Sequence, residues 1–401
     1  MHVVNGLRLA GSGGANRTME AELKRLAVRA LGGPRLASPT RLDPQNLRYD
    51  FDPGLAWTAV HYMRTPSRVL WDLAELDAER LEPLYEEVRD FVARGPEGWL
   101  APGLSLSVEV RGVKAFPAGP LQIRGTVKNG LMDGARDAGV RLELAPEEPD
   151  LHFVVQEVAE RLVLSLDLAG QSLHRRGYRL STSDAPLKEN LAAQLLMLAR
   201  WDPRTEALVD PMMGGATLAV EGALMAAGAP LWQRHTPAAH RLPAFEGWAD
   251  RPKPELFPGR PPALFGNDVD GAALRAAKDN CARARVDDRV VLIQGTFHDL
   301  SLSRLERAWR DKKMAGSPDL SRGLVICNPP YGERVGHDED ILVLYDELVA
   351  WGESLGEGWR FCFLAGHPGL ERAIRAQPRL KKPMSNGPIK AHVLVYDSLV
   401  R

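Results

Sequence analysis

Cysteine is scarce. The three cysteines in 401 residues, Cys281, Cys327 and Cys362, lie far apart, and no CxxC pair occurs. That argues against a disulfide framework and against a cysteine-based zinc site, and it suits thiols buried in a reducing compartment. The ten histidines form no HExxH, and His235 and His240, five apart in a proline-rich stretch, are poorly spaced as metal ligands. No run of about 18 apolar residues predicts a membrane span. The amino terminus has no charged-then-apolar leader. Nor does one charge dominate: 51 basic against 52 acidic side chains leave a net charge of −1, so any nucleic-acid surface must be local. What is present is ordinary globular composition, 44% apolar and 26% charged, in a length suited to two or three domains. A cytoplasmic protein with no metal and no membrane partner is expected.

The order of patterns predicts an α/β chain. Residues 11–18, "GSGGANRT", read as a turn from which Thr18 could cap the helix "MEAELKRLAVRALGG". "LRYDF" and "AWTAVHYM" read as strands, and no strand is expected before residue 11. Residues 67–168 follow as a second α/β unit. It holds an amphipathic acidic helix at 77–93, the alternating strand "LSLSVEVRGV", a helix from Gln122, and the strands "VRLELA", "LHFVVQEVA" and "RLVLSLDL". Beyond about residue 183 the rhythm becomes strand–loop–helix, repeated. Only residues 229–262 break it, a proline-rich stretch whose Trp232, Phe245, Trp248 and Phe257 mark an apolar-anchored insertion rather than a disordered linker. The end, "LKKPMSNGPIKAHVLVYDSLV", predicts a hairpin about Asn386-Gly387. Together these predict a doubly wound, mostly parallel sheet with an antiparallel edge.

Three stretches carry chemistry. In "VDPMMGGATLAVEGAL" a strand ends at Asp210, and Gly214 and Gly215 let a ligand approach the backbone before a helix opens at Thr217. Alone, this equally fits a plain strand-to-helix turn. In "LFGNDVDGAAL", Asp268 ends the next strand, where a carboxylate can accept both hydroxyls of a ribose, and Val269 would lie flat on an adenine. Asp270 is the better helix cap, which leaves Asp268 free. In "VICNPPYGER", the Asn328 side-chain oxygen and the Pro329 carbonyl can accept both N–H groups of an exocyclic amine and aim its lone pair. Prolines 329 and 330 fix the backbone and bring no N–H of their own. Tyr331 offers a flat face for a flipped base. This arrangement suits in-line methyl transfer, with positioning as its main contribution.

In this order the residues resemble class I S-adenosylmethionine-dependent methyltransferases that act on amines. More narrowly they are similar to the THUMP-domain guanine-N2 RNA methyltransferases, especially the large-subunit (23S) ribosomal RNA branch in its single-catalytic-domain form. The matching stretches are "LHRRGYRLSTSDAPLKENLAAQLL", "DPMMGGATLAVEGALMA", "FEGW", "GNDVDGAAL", "NPPYGER", "LYDEL" and "NGPIKAHVLVYD". The resemblance implies a seven-stranded Rossmann-like methyltransferase sheet with an antiparallel terminal hairpin over residues 169–401. A THUMP RNA-binding domain at 67–168 and a ferredoxin-like segment at 1–66 would precede it. It also implies a single catalytic domain, without the second one fused in some relatives. Asp210, Met212, Gly214, Gly215 and Thr217 would then surround the methionine and ribose of S-adenosylmethionine. Asp268 would hold the ribose and Val269 the adenine face, Thr296 and Phe297 would border the adenine, and Pro186 and Leu187 would cover the methionine end. Asn328, Pro329, Pro330 and Tyr331 would hold the guanine amine.

Two positions depart from the family pattern. Met213-Gly214-Gly215-Ala216 replaces the usual Cys-Gly-Ser-Gly, and the added methyl of Ala216 is tolerated if its φ is negative. Thr296 stands where an adenine-contacting Asp is expected. Local basic groups supply the expected RNA contacts: Arg111, Lys114, Arg124 and Lys128 in the second unit, and Arg175, Arg176 and Arg179 between domains. Arg372, Arg375, Arg379, Lys381 and Lys382 form a further cluster. The partner implied is RNA, ribosomal first and transfer RNA second. "NPPY" alone also fits adenine-N6 DNA and protein-glutamine methyltransferases, but the THUMP-like front and "HRRGYR" count against both. A rival of another class is a non-catalytic RNA-binding assembly factor.

Overall fold

Arg8 has no solvent-exposed surface, and the first strand is built around it. In the computed structural model, Nε of Arg8 donates to Asp72 at 2.8 Å, Nη1 to Asn46 and Gln156 at 3.1 Å each, and Nη2 to Ser165 at 3.0 Å. A buried charge is tolerated when it is paired and its donors are met in this way. The structure describes all residues except 33–35, 180–186, 233–234, 252–260, 332–337, 387–388 and 400–401. The hairpin tip at Gly387 and the side chains of Pro186 and Phe257 lie outside the described residues.

Contacts divide the chain into two units, Met1–Arg175 with Arg234–Pro254, and Arg176–Gln233 with Glu255–Arg401. The first runs β1 (His2–Ala10), α1 (Asn16–Leu31), β2 (Thr40–Asp43), β3 (Asn46–Asp50), α2 (Pro53–Tyr62), β4 (Arg68–Leu76), α3 (Leu81–Ala93), β5 (Ser105–Arg111), α4 (Pro120–Asp137), β6 (Glu143–Leu144), β7 (Leu151–Val158) and β8 (Arg161–Asp167). Its strands form one sheet in the order β2-β3-β1-β4-β8-β7-β5-β6. Since β1 pairs with β4, the sheet runs unbroken across the boundary expected at residue 66.

Four local expectations are corrected here. Residues 2–10 do form a strand. Asn5-Gly6 resembles a turn but is a bulge inside it, with Asn5 at φ 49° and a register shift between Val3 and Gly6. Residues 56–63 are not a strand but the body of α2. Asp52 caps that helix by accepting the Leu55 N–H at 2.7 Å, and Pro53 sits at its first position. Thr18 lies inside α1, whose N-cap is Ala15. The "VRLELA" strand shrinks to the two residues of β6.

The insertion is anchored by its aromatics, but within the first unit. Phe245 is buried, and the Trp57 ring of α2 lies 6.0 Å from Phe245 and 6.4 Å from Trp248. Backbone bonds from Ala239 to Leu168 and from Ala244 to Gly98, each 2.8 Å, add to this docking. Gly54 must be glycine here, because a Cβ would meet Trp248 at 2.5 Å.

The second unit runs α5 (Glu189–Leu198), β9 (Ala207–Asp210), α6 (Thr217–Ala226), β10 (Leu264–Asp268), α7 (Gly271–Arg283), β11 (Val290–Gln294), α8 (Leu302–Asp311), β12 (Gly323–Cys327), α9 (Asp338–Ser354), β13 (Trp359–Ala365), α10 (Pro368–Ala373), β14 (Leu380–Asn386) and β15 (Ile389–Tyr396). Its seven-stranded sheet has the order β11-β10-β9-β12-β13-β15-β14, parallel except at the β15 and β14 edge. Strand alternation sorts side chains to its two faces. Leu208, Leu264, Leu324 and Leu364 join α5, α6 and α7 in one core. Val209, Phe265, Val325 and Phe363 join α8 and α9 in the other. The doubly wound architecture expected from the sequence is therefore present. Chain order reverses between β9 and β12, which opens a crevice at the carboxyl ends of β9, β10 and β12.

Candidate active site

Three strand ends face that crevice. Asp210, at the end of β9, is buried and accepts the Met212 N–H at 3.2 Å. Burial chiefly pushes its carboxyl well above the usual range, against the Met212 hydrogen bond, with a smaller push from the nearby Asp268. At the end of β10, Asp268 is already organised by backbone. Its Oδ2 accepts the Gly214 N–H at 2.8 Å and its Oδ1 the Asp270 N–H at 3.0 Å. A carboxylate has about four acceptor positions, so each oxygen keeps capacity for one more donor. Asp270 caps α7, accepting from Ala272 and Ala273. The expectation that Asp268 is free is thus refined: it is held in place by two donors and left half-exposed.

The glycine loop is shaped by two asparagines that the motif reading passed over. Asn267, buried beside Asp268, donates to the carbonyls of Pro211 at 3.0 Å and Gly295 at 2.9 Å, and so ties the loops after β9 and β11 to β10. Asn280 of α7 donates to the Gly215 carbonyl at 2.9 Å. Gly214 has φ 52°, and Ala216, fully buried, has φ 60°. The condition set for Ala216, a negative φ, is not met. Its side chain occupies the left-handed region at a cost of about 1–2 kcal/mol, and the tight loop is kept despite it.

These loops enclose a cavity of about 750 Å³. Of the residues expected to bind a cofactor, Asp210, Met212, Gly214, Gly215, Thr217, Asp268, Val269, Thr296, Phe297 and Leu187 all line it. Val269 is 72% exposed there, a large apolar side chain left bare on the cavity wall. Thr296 is bonded to its neighbour, with its Oγ1 2.6 Å from His298 Nδ1, and the His298 ring stacks on Phe297 at 4.1 Å.

After β12 the chain turns through Asn328 to Tyr331. Asn328 and Pro330 line the same cavity. The side-chain oxygen of Asn328 is buried and, among the described residues, has no hydrogen-bond partner. The Pro330 carbonyl accepts the Tyr345 hydroxyl of α9 at 2.8 Å. Among the described residues, Pro329 and Tyr331 do not line the cavity. The Tyr331 ring lies on Gly366, where a Cβ would approach it to 2.6 Å.

The expected RNA-contacting residues separate. Lys114, Arg124 and Arg175 are exposed, Lys128 is half-buried, and Arg111 is paired with Glu109 at 2.6 Å. Arg176 is corrected: it is buried, with Nε 2.7 Å from Glu221 of α6, and cannot reach a phosphate. Arg179 is corrected as well. It lines the cavity and donates to the Leu187 carbonyl and to Thr217 Oγ1, both at 2.7 Å. Charge alone cannot tell a surface arginine from one with a buried partner far away in sequence.

The pattern of the family described as "RMKL-like, methyltransferase domain" matches residues 176–394. The chain belongs to this family. Curated relatives of this RMKL-like chain include the ribosomal RNA large subunit methyltransferase K/L of Cellvibrio japonicus, 35% identical over 392 residues that make up 92% of this chain and 49% of that protein. The protein of that name from Chromohalobacter salexigens is 34% identical over 365 residues, 86% of this chain and 47% of that one. The chain spans about half the length of the curated relatives it matches. Two solved structures superpose over nearly the whole length. One is the candidate methyltransferase SMU.472 complexed with SAH, with a TM-score of 0.77 at 22% identity, covering 99% of both chains. The other is TrmN from Thermus thermophilus, with a TM-score of 0.66 at 18% identity, covering 98% of this chain and 99% of that one. At these identities the likeness shows the fold, an α/β Rossmann-like methyltransferase fold.

Proposed function

We propose that this RMKL-like chain transfers a methyl group from S-adenosylmethionine to the exocyclic N2 amine of a guanine in RNA, with large-subunit ribosomal RNA as the substrate. The observation that carries the reading is the buried, unpartnered Asn328 oxygen, which lines one cavity with Asp268 and Val269. A buried acceptor without a donor is costly, and a bound N–H satisfies it.

The residues present fit the cofactor. Asp268 keeps acceptor capacity for a ribose, bare Val269 offers an apolar face to a purine, and Leu187, Met212 and Thr217 line the rest of the wall. S-adenosylmethionine bound there would supply a methyl group on an electrophilic sulfonium. Asn328 Oδ1 would accept one N–H of the guanine amine and turn its lone pair toward that methyl; the Pro329 carbonyl, which is not part of the cavity lining here, would have to turn toward the cavity to accept the other. The methyl would leave its bonding electron pair on that sulfur, and the methylated amine would lose its extra proton to water, so Asn328 and Pro329 need only position the amine.

Residues 67–168 would act as a THUMP domain. Exposed Lys114 and Arg124 on it, together with Arg175, would contact phosphates. A ribosomal RNA substrate would be met in the cytoplasm. Among the described residues no helix is long and apolar enough to cross a membrane. The left-handed Ala216 favours a second reading, an RNA-binding assembly factor that has lost its cofactor.

One comparison decides. The wild type and Asn328→Ala are titrated with SAH and, in a separate reaction with S-adenosylmethionine, supplied to ribosomal RNA from a deletion strain, followed by mass mapping of nucleosides. The expected result is SAH binding by both proteins and N2-methylguanosine from the wild type alone. Methyl transfer by the variant overturns the role of Asn328, and absence of SAH binding by the wild type favours the assembly factor.

A further inference from the structure

The cavity is unbalanced in charge. Its described lining holds three aspartates, Asp268, Asp270 and the buried Asp210 whose carboxyl is held well above the usual range, and a single Lys or Arg, Arg179. Arg179 stands beside Thr217, where α6 leaves the glycine loop, and not beside the nucleoside-facing Asp268 and Val269. Its side chain is 14% exposed, and its donations to the Leu187 carbonyl and to Thr217 Oγ1 both come from Nη2. Glu189 is 3.9 Å from Nε, an ionic neighbour beyond hydrogen-bond reach. Among the described residues no acceptor is bonded to Nη1. Among the described residues the guanidinium is thus oriented through one nitrogen, which leaves Nη1 able to donate to a ligand.

An amino-acid tail carries a carboxylate as well as an ammonium. In this cavity Asp268 and Asp270 repel a carboxylate, and one group attracts it. We propose that Arg179 binds the carboxylate of the cofactor's amino-acid tail. Leu187 and Thr217 fix the plane of its guanidinium, and a partly desolvated guanidinium–carboxylate contact is a strong, directional one. The inference rests on the S-adenosylmethionine reading of the cavity and adds to it the group that separates the intact cofactor from a tailless nucleoside. It also accounts for an arginine that sequence alone assigned to RNA.

The test is calorimetric titration of the full chain with three probes: S-adenosylmethionine, decarboxylated S-adenosylmethionine and SAH. The wild type is expected to bind S-adenosylmethionine at least roughly tenfold more tightly than the decarboxylated form. Arg179→Gln keeps an N–H donor for Leu187 and Thr217 but removes the charge. It is expected to weaken S-adenosylmethionine and SAH by roughly 30-fold or more while leaving the decarboxylated form within about threefold. Arg179→Lys should recover part of the loss. Equal loss for all three ligands overturns the proposal and makes Arg179 a brace for the loop alone, and no loss overturns it outright. Should Arg179→Gln fail to fold, the wild type decides, since equal affinity for the two methyl donors overturns the proposal without any variant. A wild type that binds none of the three probes refutes the cofactor reading itself, a result distinct from either of these.

Discussion

The Tyr345 hydroxyl donates to the Pro330 carbonyl at 2.8 Å, so α9 braces from behind the turn that presents Asn328. Burial pushes the phenol up to about 12, and it stays a donor at any working pH. Tyr345→Phe keeps the ring in its core and loses only this bond. Single-turnover methyl transfer is expected to slow about tenfold, the size typical of a lost positioning contact, with SAH affinity unchanged by titration. An unchanged rate would show that the two prolines hold the turn unaided.

In the first unit, His61 Nε2 and His240 Nε2 are 2.9 Å apart, and His61 Nδ1 lies 2.9 Å from the Trp57 carbonyl. Burial chiefly lowers His61 to about 4, with the neighbouring His240 adding to the effect against the pull of the Trp57 carbonyl. Burial lowers His240 too. The folded state therefore prefers neutral rings, while the unfolded chain takes up protons near pH 6.5. The stabilisation is complete above that pH and is lost as pH falls toward 4, about 3 kcal/mol from His61 by then. Thermal melts at pH 8, 6 and 4.5 should show the wild type losing stability more steeply than His61→Phe. Parallel slopes would remove this pair from the acid response.

Asp72 holds two arginines, Arg8 at 2.8 Å and Arg48 at 2.9 Å, and accepts from Ser165 at 2.7 Å. Asp72→Ala leaves the buried Arg8 without its counter-charge. Such a broken pair costs about 3–5 kcal/mol, and denaturant unfolding should show that loss in the first unit. A loss under about 1 kcal/mol, the range of an exposed pair, would mean that water enters the site and hydrates Arg8.

Much of this was legible in the residues, because acids at strand ends, glycines after them and Asn-Pro-Pro-Tyr are local signals. The cavity gathers Asp210, Asp268 and Asn328 from positions far apart in sequence, and only the strand order brings them together. What stayed hidden depends on distant partners. Arg176 looks like its neighbour Arg175 until Glu221 is seen to bury it. Asn267 precedes a conspicuous aspartate, and its loop-tying role exists only once β9 and β11 flank β10. The α2 helix is hidden for another reason: its Trp, Thr, Val and Tyr suggest a strand and outweigh the Asp52-Pro53 start signal.

The chain passes between its two units at 175/176, at 233/234 and again at 254/255. Neither unit is a contiguous stretch of polypeptide. An expression boundary drawn after residue 175 would delete Phe245 and Trp248 and strip their cover from Trp57, leaving an oily face that invites aggregation. Isolating the amino-terminal half requires grafting the excursion back on through a short artificial linker, and isolating the other half requires closing the gap it leaves.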